Sequence, residues 1–358
     1  MMRFGSWVWV VGLAATLPVL ADRTSPLPDR GDGNLTIYLD NDLFSGTDEN
    51  YTNGARVSWI SGERPVSDIG SVQRFLRRLS GDADSFDLAK RLTGFADPAE
   101  VRYNFGFSLT QLMFTPEDPL VPGQPPGERP YAGWLGVGFS LHAMDERVLN
   151  SVQLTIGVIG PAALGEEAQD VVHDIRAMQK FNGWDAQIPN EPTLGLHFGQ
   201  KRRLDLHREE WEEGAFRVDA LADWSMALGN FRTGLEAGVF VRAGHNLPAD
   251  FSDPRLSETA YSHRYFRGAG EPMGRFSAYV LFGARGRVSV YDASLEGPMF
   301  RDFETGVEKE WLVGEVFAGF GLRWDRVELS YVHTFRTSTF EEQDGGQQFG
   351  SVGLRVAF

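Results

Sequence analysis

Apolar and polar side chains alternate along most of the chain, in a pattern that begins at Leu35 and continues to the last residue, Phe358. The alternation is clearest in four stretches: VRYNFGFSLTQL, YAGWLGVGFSLH, SVQLTIGVIG and the final FGSVGLRVAF. Successive side chains of a β-strand point to opposite faces, so a period of two gives each strand one apolar and one polar face. Each of these stretches is therefore predicted to be a β-strand.

The same pattern predicts six further strands, at Leu194–Gly199, Phe216–Ser225, Arg232–Ala243, Phe276–Arg287, Leu312–Trp324 and Val327–Thr334. With the pair of strands that opens the chain, the total is about twelve, an even number, as in single-chain bacterial outer-membrane barrels. The fold predicted from the pattern is all-β: a transmembrane antiparallel up-and-down β-barrel. A soluble β-sandwich is disfavoured, because its strands would be shorter and would not need so many aromatic residues at their ends.

Connections between the predicted strands divide into two groups, because an even count places both chain ends in the periplasm and alternate connections outside the cell. One exterior connection contains the helical pattern GEEAQDVVHDIRAMQK, residues Gly165–Lys180, with acidic residues in its first turn as the helix dipole favours. Two long connections, Ser61–Glu100 and His245–Gly274, fall on the periplasmic side, where turns are usually short. Either the count slips locally or these segments form plugs or appendages.

The first 21 residues carry a basic Arg3, an apolar run and a small residue, Ala21, at a cleavage position. These features predict a secretory signal peptide over residues 1–21 and a mature barrel over residues 22–358. No other stretch approaches the roughly 20 apolar residues of a transmembrane helix. The chain has no cysteine, so an exported domain of this size depends on backbone pairing and packing rather than on disulfides.

Composition supports the barrel and restricts the partners. Among 358 residues there are 41 Gly, 26 Phe, 9 Trp and 9 Tyr, while the mean hydropathy is only −0.26. A sequence that is rich in aromatic residues but polar in its mean hydropathy is typical of strands with one face toward lipid and the other toward a polar lumen. The net charge of −15 argues against nucleic acid as a partner, since phosphate backbones attract basic surfaces.

Candidate chemistry lies at the ends of the first two strands and on the helix. Asn41 and Asp42 end the first strand, Thr52 begins the second, and Gln169 and His173 share one helix face because they are four residues apart. If the helix folds into the barrel mouth, these side chains meet there. A histidine can take a proton from water, a carboxylate can hold a hard divalent cation, and such a cation can stabilise the oxyanion of an ester.

Each of these residues also has an ordinary structural interpretation. Barrel lumens are polar, so Asp42 is also what a lumen position carries. His173 fits a hydrogen-bonded structural histidine, and Thr52 fits the chemistry of a turn. The spacing of these residues therefore supports a barrel with a candidate site and does not decide between the two interpretations.

Four blocks of the sequence, which lie between about Leu35 and Pro192, resemble the motif blocks of the LpxR-type lipid A 3′-O-deacylases and follow the same order. They are DNDLF…TDENYTNG, FTPED…GERPYAGW, GVIGPAALGEEAQDVVH and GWDAQIPNEP. The resemblance implies a barrel of about twelve strands in the bacterial outer membrane, with an active site near the outer leaflet between the wall and an infolded loop helix. It also implies Ca²⁺-dependent ester hydrolysis that releases the 3′-linked acyloxyacyl group of lipid A, so that lipopolysaccharide is the implied substrate.

Carried over residue by residue, the resemblance implies roles for five positions. Asp42 corresponds to a metal ligand for Ca²⁺, with Asn41 supporting the same site. His173 corresponds to the base that activates water, and Gln169 and Thr52 to groups that position substrate or water.

Two positions depart from the family pattern. The loop TPEDPLVPGQPPGERP contains no lysine, which leaves Arg129 as a substitute in lipid A phosphate binding. A glutamate six residues after the histidine is replaced by Gln179. Phosphate binding and the orientation of the base are therefore less well defined than the hydrolytic core.

Other interpretations remain open at this point. An outer-membrane phospholipase would use a Ser-His pair, for which Ser140 and His142 on one strand are the candidates. A non-enzymatic porin or adhesin barrel would use the helix as a constriction. The sequence leaves open the oligomeric state, the complete metal ligand set and the preferred acylation pattern.

Overall fold

The alternating stretches form antiparallel β-strands, and most pair with the strands before and after them in the sequence. A computed structural model describes residues 33–41, 50–65, 93–95, 101–117, 121–176, 180–204, 216–248, 250–251, 253–255 and 276–358. Within these ranges twelve strands build the barrel: β1 (Asn34–Asn41), β2 (Asn50–Ile60), β3 (Arg102–Thr115), β4 (Ala132–Met144), β5 (Val148–Ile159), β6 (Glu191–Leu204), β7 (Phe216–Gly229), β8 (Arg232–His245), β9 (Phe276–Asp292), β10 (Leu312–Trp324), β11 (Val327–Arg336) and β12 (Gln347–Ala357). A two-residue strand, Arg64–Pro65, pairs with the start of β3.

The sheet closes on itself, because β1 pairs with both β2 and β12, and β2 pairs with β3. Asn34 lies opposite Ala357, and Asn41 lies opposite Gly350. Closure leaves no open sheet edge, which is the condition for strands that are surrounded by lipid. The prediction of an antiparallel up-and-down barrel of about twelve strands is confirmed.

The two faces of the strands differ as the alternation predicts. Many inward positions carry polar or small side chains, among them Asp40, Arg56 and Thr110, which line an interior cavity of about 50 Å³. Outward positions carry large apolar side chains that remain exposed, among them Phe107 and Phe139. The outward face is thus the apolar belt expected of a barrel in lipid.

The barrel has two ends with different connections. We call the end with Asn34 and Ala357 the terminal end, and the end with Asn41 and Asn50 the loop end. Four helical segments of the described residues lie in loop-end connections: α1 (Gly165–Arg176), α2 (Ala293–Glu296) and two 3₁₀ turns, Pro161–Ala163 and Trp184–Ala186. Over the ranges described, none of the helices has both the length and the apolar character needed to span a membrane.

A segment after β8 folds back from the terminal end into the lumen. We call the described residues between 246 and 255 the plug. Its Leu247 and Phe251 are buried and belong to one apolar cluster with Phe240 of the wall. The connection His245–Gly274, predicted to be a plug or an appendage, therefore plugs the barrel over its described part.

Ion pairs hold the plug in place. Arg242 of β8 is fully buried and donates to Asp219 of β7 at 2.6 and 3.0 Å. It also pairs with Asp250 of the plug, which faces Arg355 of β12 at 3.4 Å. Because buried charges are tolerated only when they are paired and hydrogen-bonded, wall and plug depend on each other.

A second cluster extends this network toward the middle of the lumen. Arg255 of the plug contacts Asp253 at 2.8 Å and Glu315 of β10 at 3.2 Å, and Asp253 contacts Arg285 of β9 at 3.0 Å. The Arg255 guanidinium also lies 3.4 Å from the ring centroid of Phe317. The plug is thus held by charge and by packing.

Residues 292–300, which we call the cap, fold over the lumen at the loop end. Arg232 donates to Asp292 at 2.6 and 3.1 Å, and Asp292 accepts the backbone N–H of Ser294 at 3.0 Å, which caps α2. Glu191 accepts two backbone N–H groups of the cap at 2.8 and 3.1 Å. The interior cavity of about 50 Å³ is lined by Arg232 beside the cap and by residues of the wall such as Asp40 and Arg56.

The other long connection has two described parts: Arg64–Pro65 pairs with β3 in the sheet, and residues 93–95 lie outside the wall. Asn150 and Gln200, both in outward positions, donate to the carbonyl of Thr93 at 2.8 and 3.2 Å. Residues 93–95 of the segment Ser61–Glu100 are therefore an appendage on the outer surface near the terminal end.

Replacing Arg242 by methionine should destabilise the barrel by about 3–5 kcal/mol, because Asp219 and Asp250 then lose a buried partner. Urea unfolding of the detergent-folded barrel, followed by tryptophan fluorescence, measures the change. The matched control is Arg301→Met, which alters an exposed arginine of the loop end. Equal unfolding midpoints for the two variants would contradict the role given to Arg242.

Candidate functional site

The first residues of the site lie in one row across four strands at the loop end. Asn41 pairs with Asn53, Asn53 with Met113, and Met113 with Gly133. All four occupy the outward phase of their strands, opposite to the side chains that line the lumen. Since neighbouring strands are about 4.8 Å apart, this loop-end row spans roughly 14 Å of the outer wall.

Thr52 lies beside this row at an irregularity of the sheet. Tyr51 pairs with Phe114 and Asn53 with Met113, so Thr52 is an extra residue between two paired positions. Such β-bulges bend a strand and re-aim its side chains, often next to functional sites. Asp42, the predicted metal ligand, lies outside the described residues, as does the Thr52 side chain.

The connection from β5 to β6 is anchored on the outer wall. Gln111 of β3 occupies an outward position, and its Nε2 donates to the carbonyls of Ala163 and Leu164 at 2.8 and 3.0 Å. Leu164 has a left-handed backbone with φ 57°, a strained conformation for leucine that surrounding contacts must hold. The double hydrogen bond of Gln111 supplies such contacts immediately before α1.

Two glycines let the start of α1 touch the wall. A Cβ on Gly133 would lie 3.3 Å from the Gly165 nitrogen, and one on Gly165 would lie 3.3 Å from the Gly133 Cα. Met113, beside Gly133, is only 4 % exposed although it points outward. The helix therefore begins on the outer face of the wall. The expectation that it folds into the barrel mouth is corrected in this respect, because Gly133 and Met113 face away from the lumen.

The helix buries a polar face. Gly165, Gln169 and His173, at spacings of four residues, are all buried, whereas Val171 is 58 % exposed. Residues four apart lie on the same side of a helix, so Gln169 and His173 share the side on which Gly165 meets the wall. The predicted helix is confirmed over Gly165–Arg176, and residues 177–179, with Gln179, lie outside the described ranges.

Both predicted helix residues are held by aromatic neighbours. Trp184 donates its indole N–H to Oε1 of Gln169 at 2.7 Å. Among the described residues, none forms a hydrogen bond with the Nε2 of Gln169, although the side chain is almost fully buried. His173 packs edge-on against Phe181, with ring centroids 5.0 Å apart. A buried donor without a partner costs about 1–3 kcal/mol, so this amide is a group that an incoming acceptor would satisfy.

Charges lie on the exposed side of the helix. Lys180 bridges Asp170 at 2.8 Å and Asp174 at 3.2 Å, and these hydrogen bonds raise the pKa of the Lys180 ammonium. Partial burial and neighbouring acids raise the pKa of Glu166 at the helix start. Exposed pairs of this kind contribute little stability, and the charges keep the outer side of α1 polar.

Arg129 belongs to the lumen side and not to this outer site. Its guanidinium donates to Ser294 of the cap at 2.7 Å and to Thr339 at 3.3 Å, and it lies 4.3 Å from the ring centroid of Phe114, an inward residue. Burial lowers the pKa of Arg129 to about 9. Arg129 therefore holds the cap, and its substitution for a phosphate-binding lysine stays a prediction.

The oxygen atoms near Asn41 suit a hard cation. The Oδ1 of Asn53 is buried and has no hydrogen-bond partner among the described residues, and Asn53 is the direct neighbour of Asn41. Amide and carboxylate oxygens are the ligands that Ca²⁺ prefers. Among the described residues, no group of three or more acidic, histidine or cysteine side chains could hold a metal, and the predicted ligand Asp42 lies outside those residues.

The Ser-His pair of the phospholipase alternative lies inside the barrel. Ser140 and His142 both point inward, and His142 Nδ1 is 2.7 Å from Oδ1 of Asn104. The structure, which describes both residues, shows no hydrogen bond between Ser140 and His142. A lipid ester outside the wall has no route to this fully buried imidazole.

Comparison with known families agrees with the motif blocks and extends them. The model of a family described as "Outer membrane protein LpxR" matches residues 8–358. The chain belongs to the LpxR family. The resemblance predicted from four blocks is thereby confirmed over nearly the whole chain. Membership of this family implies a lipid A deacylase of the outer membrane.

Solved structures agree on the fold. LpxR from Salmonella typhimurium is 18 % identical, with a TM-score of 0.67, and the match covers 91 % of this chain and 100 % of that one. The β domain of the Bordetella autotransporter BrkA is 10 % identical with a TM-score of 0.41, over 92 % and 100 % of the two chains. The first likeness supports the barrel fold, and the second is too distant to carry an argument. Comparison with curated proteins returns no match.

The structure adds site residues that the sequence analysis did not single out: Gln111, Asn53, Trp184 and Met113. Gln111 carried a signal, because it follows Phe105, Phe107 and Leu109 in the lipid-facing phase of one strand. A polar residue in that phase needs a partner outside the wall. The sequence signal for Trp184 was weaker, because Trp184 was only one of the residues of the motif block GWDAQIPNEP.

Replacing Gln111 by leucine should lower deacylase activity about tenfold or more while the barrel stays folded, because two hydrogen bonds that seat the helix are lost. The measurement is the initial rate of lipid A deacylation in detergent micelles, with the heat-modified gel shift as the test of folding. The matched control is Gln200→Leu, another outward glutamine that anchors a segment, at the terminal end. Equal rates for both variants would contradict the anchoring role of Gln111.

Proposed function

We propose that this protein is a Ca²⁺-dependent lipid A 3′-O-deacylase that releases the 3′-linked acyloxyacyl group. The observation that carries the proposal is the seating of the Gln169–His173 face on the outer wall, beside the loop-end row. Lipid A is a membrane lipid, so an enzyme that cleaves it needs its catalytic groups where the wall meets lipid. Family membership gives the reaction class, and the position of the helix suits the substrate.

His173 acts in this proposal as the general base. Its imidazole takes a proton from a water molecule, and the water oxygen attacks the carbonyl carbon of the ester. The bond between that carbon and the 3′ oxygen then breaks, and the imidazolium returns its proton to the leaving oxygen. The products are lipid A with a free 3′ hydroxyl and the acyloxyacyl acid. No serine nucleophile is required.

Gln169 and Thr52 position the reactants. The unpartnered Nε2 of Gln169 is a donor suited to an oxygen of the ester or of the attacking water. Thr52, at the bulge of β2, belongs to the same end of the wall. Both groups are neutral, so they orient oxygen atoms without competing for the proton that His173 takes.

A cation site in this proposal comprises Asp42, with Asn41 supporting it. The unpartnered Oδ1 of Asn53 adds a hard oxygen next to Asn41, which fits the ligand preference of Ca²⁺. When bound, the ion supplies positive charge that stabilises the oxyanion of the tetrahedral intermediate.

Substrate enters laterally from the outer leaflet. The outward apolar side chains of β3 and β4 offer acyl chains an apolar surface beside the start of α1. The loop end then lies at the cell exterior, and the terminal end in the periplasm. This orientation puts the site at the level of the lipid A headgroup.

The alternative functions, a porin and a phospholipase, are less well supported. A porin needs a lumen that ions can cross, whereas cap and plug occupy both ends of the lumen in the described residues. The helix does not constrict the lumen, because it begins on the outer wall. A phospholipase with Ser140 and His142 would need lipid inside the barrel.

Alanine at His173 or at Asp42 should abolish deacylation and leave the barrel folded, because the base or the cation ligand is removed. Mass spectrometry of lipid A from cells that express each variant measures the result. The wild type should remove one acyloxyacyl group, and a divalent chelator should stop it. His245→Ala, which alters an exposed histidine at the terminal end, should keep full activity.

The three interpretations predict different masses. Loss of an acyloxyacyl group supports the deacylase, altered phospholipids with unchanged lipid A support the phospholipase, and no change in either supports a non-enzymatic barrel. Deacylation that persists in His173→Ala would refute the role of His173 as the base.

A further inference from the structure

The hydrogen bond between Trp184 and Gln169 determines the direction of the Gln169 amide. An indole N–H can only donate, so the oxygen of the amide must face Trp184, as the 2.7 Å contact to Oε1 has it. The NH₂ group is then on the opposite side of the same planar amide. A neighbour with a hydroxyl group could either donate or accept a hydrogen bond, so it would be compatible with both orientations of the Gln169 amide.

Trp184 is itself fixed on several sides. It is 2 % exposed, and its ring lies against Tyr131 with the centroids 5.2 Å apart. A Cβ on Gly165 would lie 2.9 Å from the ring, so the indole fills the space beside the start of α1. The backbone of Trp184 is held in a 3₁₀ turn that is closed by the N–H of Gln187 at 3.1 Å. The indole is therefore a rigid support for a flexible side chain.

The amide that Trp184 orients ends in an unsatisfied donor. Within the part of the chain that the structure describes, Nε2 of Gln169 has no hydrogen-bond partner, and Gln169 is 3 % exposed. Glutamine has three rotatable side-chain bonds and loses much rotamer freedom when it is fixed. A fixed donor that faces no protein acceptor is preorganised for an acceptor that arrives with the substrate.

We propose that Trp184 is a positioning residue for the deacylation: it holds the Gln169 amide so that its NH₂ group faces an oxygen of the ester undergoing attack. This inference rests on the proposed function and deepens it. Trp184 does not touch the substrate in this account and acts only through Gln169. Its contribution therefore belongs to the chemical step and not to the binding of lipid A.

The experiment compares Trp184→Phe with wild type, using purified lipid A in detergent micelles and mass spectrometry for initial rates. Phenylalanine keeps an aromatic ring and removes the N–H donor. We expect kcat to fall about tenfold, the order of the rotamer freedom that a released glutamine regains, with KM unchanged. In a Gln169→Ala background the same substitution should have no further effect on kcat.

The matched control is Trp134→Phe. Trp134 is also a buried tryptophan, and its indole donates to Thr193 at 2.9 Å on the lumen side. The control therefore removes the same kind of hydrogen bond away from the outer site. We expect its kcat and KM to equal those of the wild type, with both variants folded in the heat-modified gel shift.

A second variant tests the amide direction without changing Trp184. Gln169→Glu keeps an acceptor for the indole and replaces the NH₂ group by an oxygen. We expect it to be as slow as Gln169→Ala, whereas an active Gln169→Glu would show that an oxygen faces the substrate and would overturn the proposal.

Other outcomes separate the two proposals. An unchanged kcat in Trp184→Phe, or an equal loss in the Gln169→Ala background, overturns the positioning role while an active wild type leaves the deacylase intact. A wild type that never deacylates lipid A overturns both.

Discussion

The contact between α1 and the outer face of β3 and β4 is the interaction on which the candidate site depends. Gly133 and Gly165 approach each other so closely that a side chain on either would press on the other's backbone. Gln111 adds two hydrogen bonds to the segment before the helix. Without this contact, Gln169 and His173 would belong to a free loop. With it, the helix that carries them begins on the wall, where Gly165 meets Gly133 of the loop-end row.

Because the plug and the cap fill the lumen, the outer wall is the surface on which we expect a lipid to bind. The plug after β8 and the cap after β9 bring charged side chains into the barrel, where Arg242, Asp219 and Asp250 neutralise one another. Buried ions of this kind require their partners, so the interior serves as a support and is not available as a channel. A lipid can then meet polar groups on the outer surface of the barrel. The loop-end row and α1 carry polar groups on that surface.

Much of the fold could be predicted from the sequence, because side-chain alternation is a direct consequence of strand geometry. The pattern located β9 from Phe276 but ended it at Arg287, although the alternation continues through Val288, Ser289 and Val290 and backbone pairing extends to Asp292. The pattern also identified the helix from Gly165. It did not show on which side of the wall the helix lies, because that depends on Gly133 and Gln111, whose partners are distant in the sequence. The family motifs supplied Asn41, Asp42, Thr52, Gln169 and His173, whereas Trp184 became visible only through its contact with Gln169.

The most direct test of the account is a crystal structure of the protein with Ca²⁺ and a non-hydrolysable lipid A analogue. The account predicts the analogue on the outer wall, with its 3′ carbonyl group between the His173 imidazole and the loop-end row, and with Ca²⁺ bound by Asp42. An analogue bound within the lumen, or a His173 imidazole on the far side of the wall from Asn41, would contradict it.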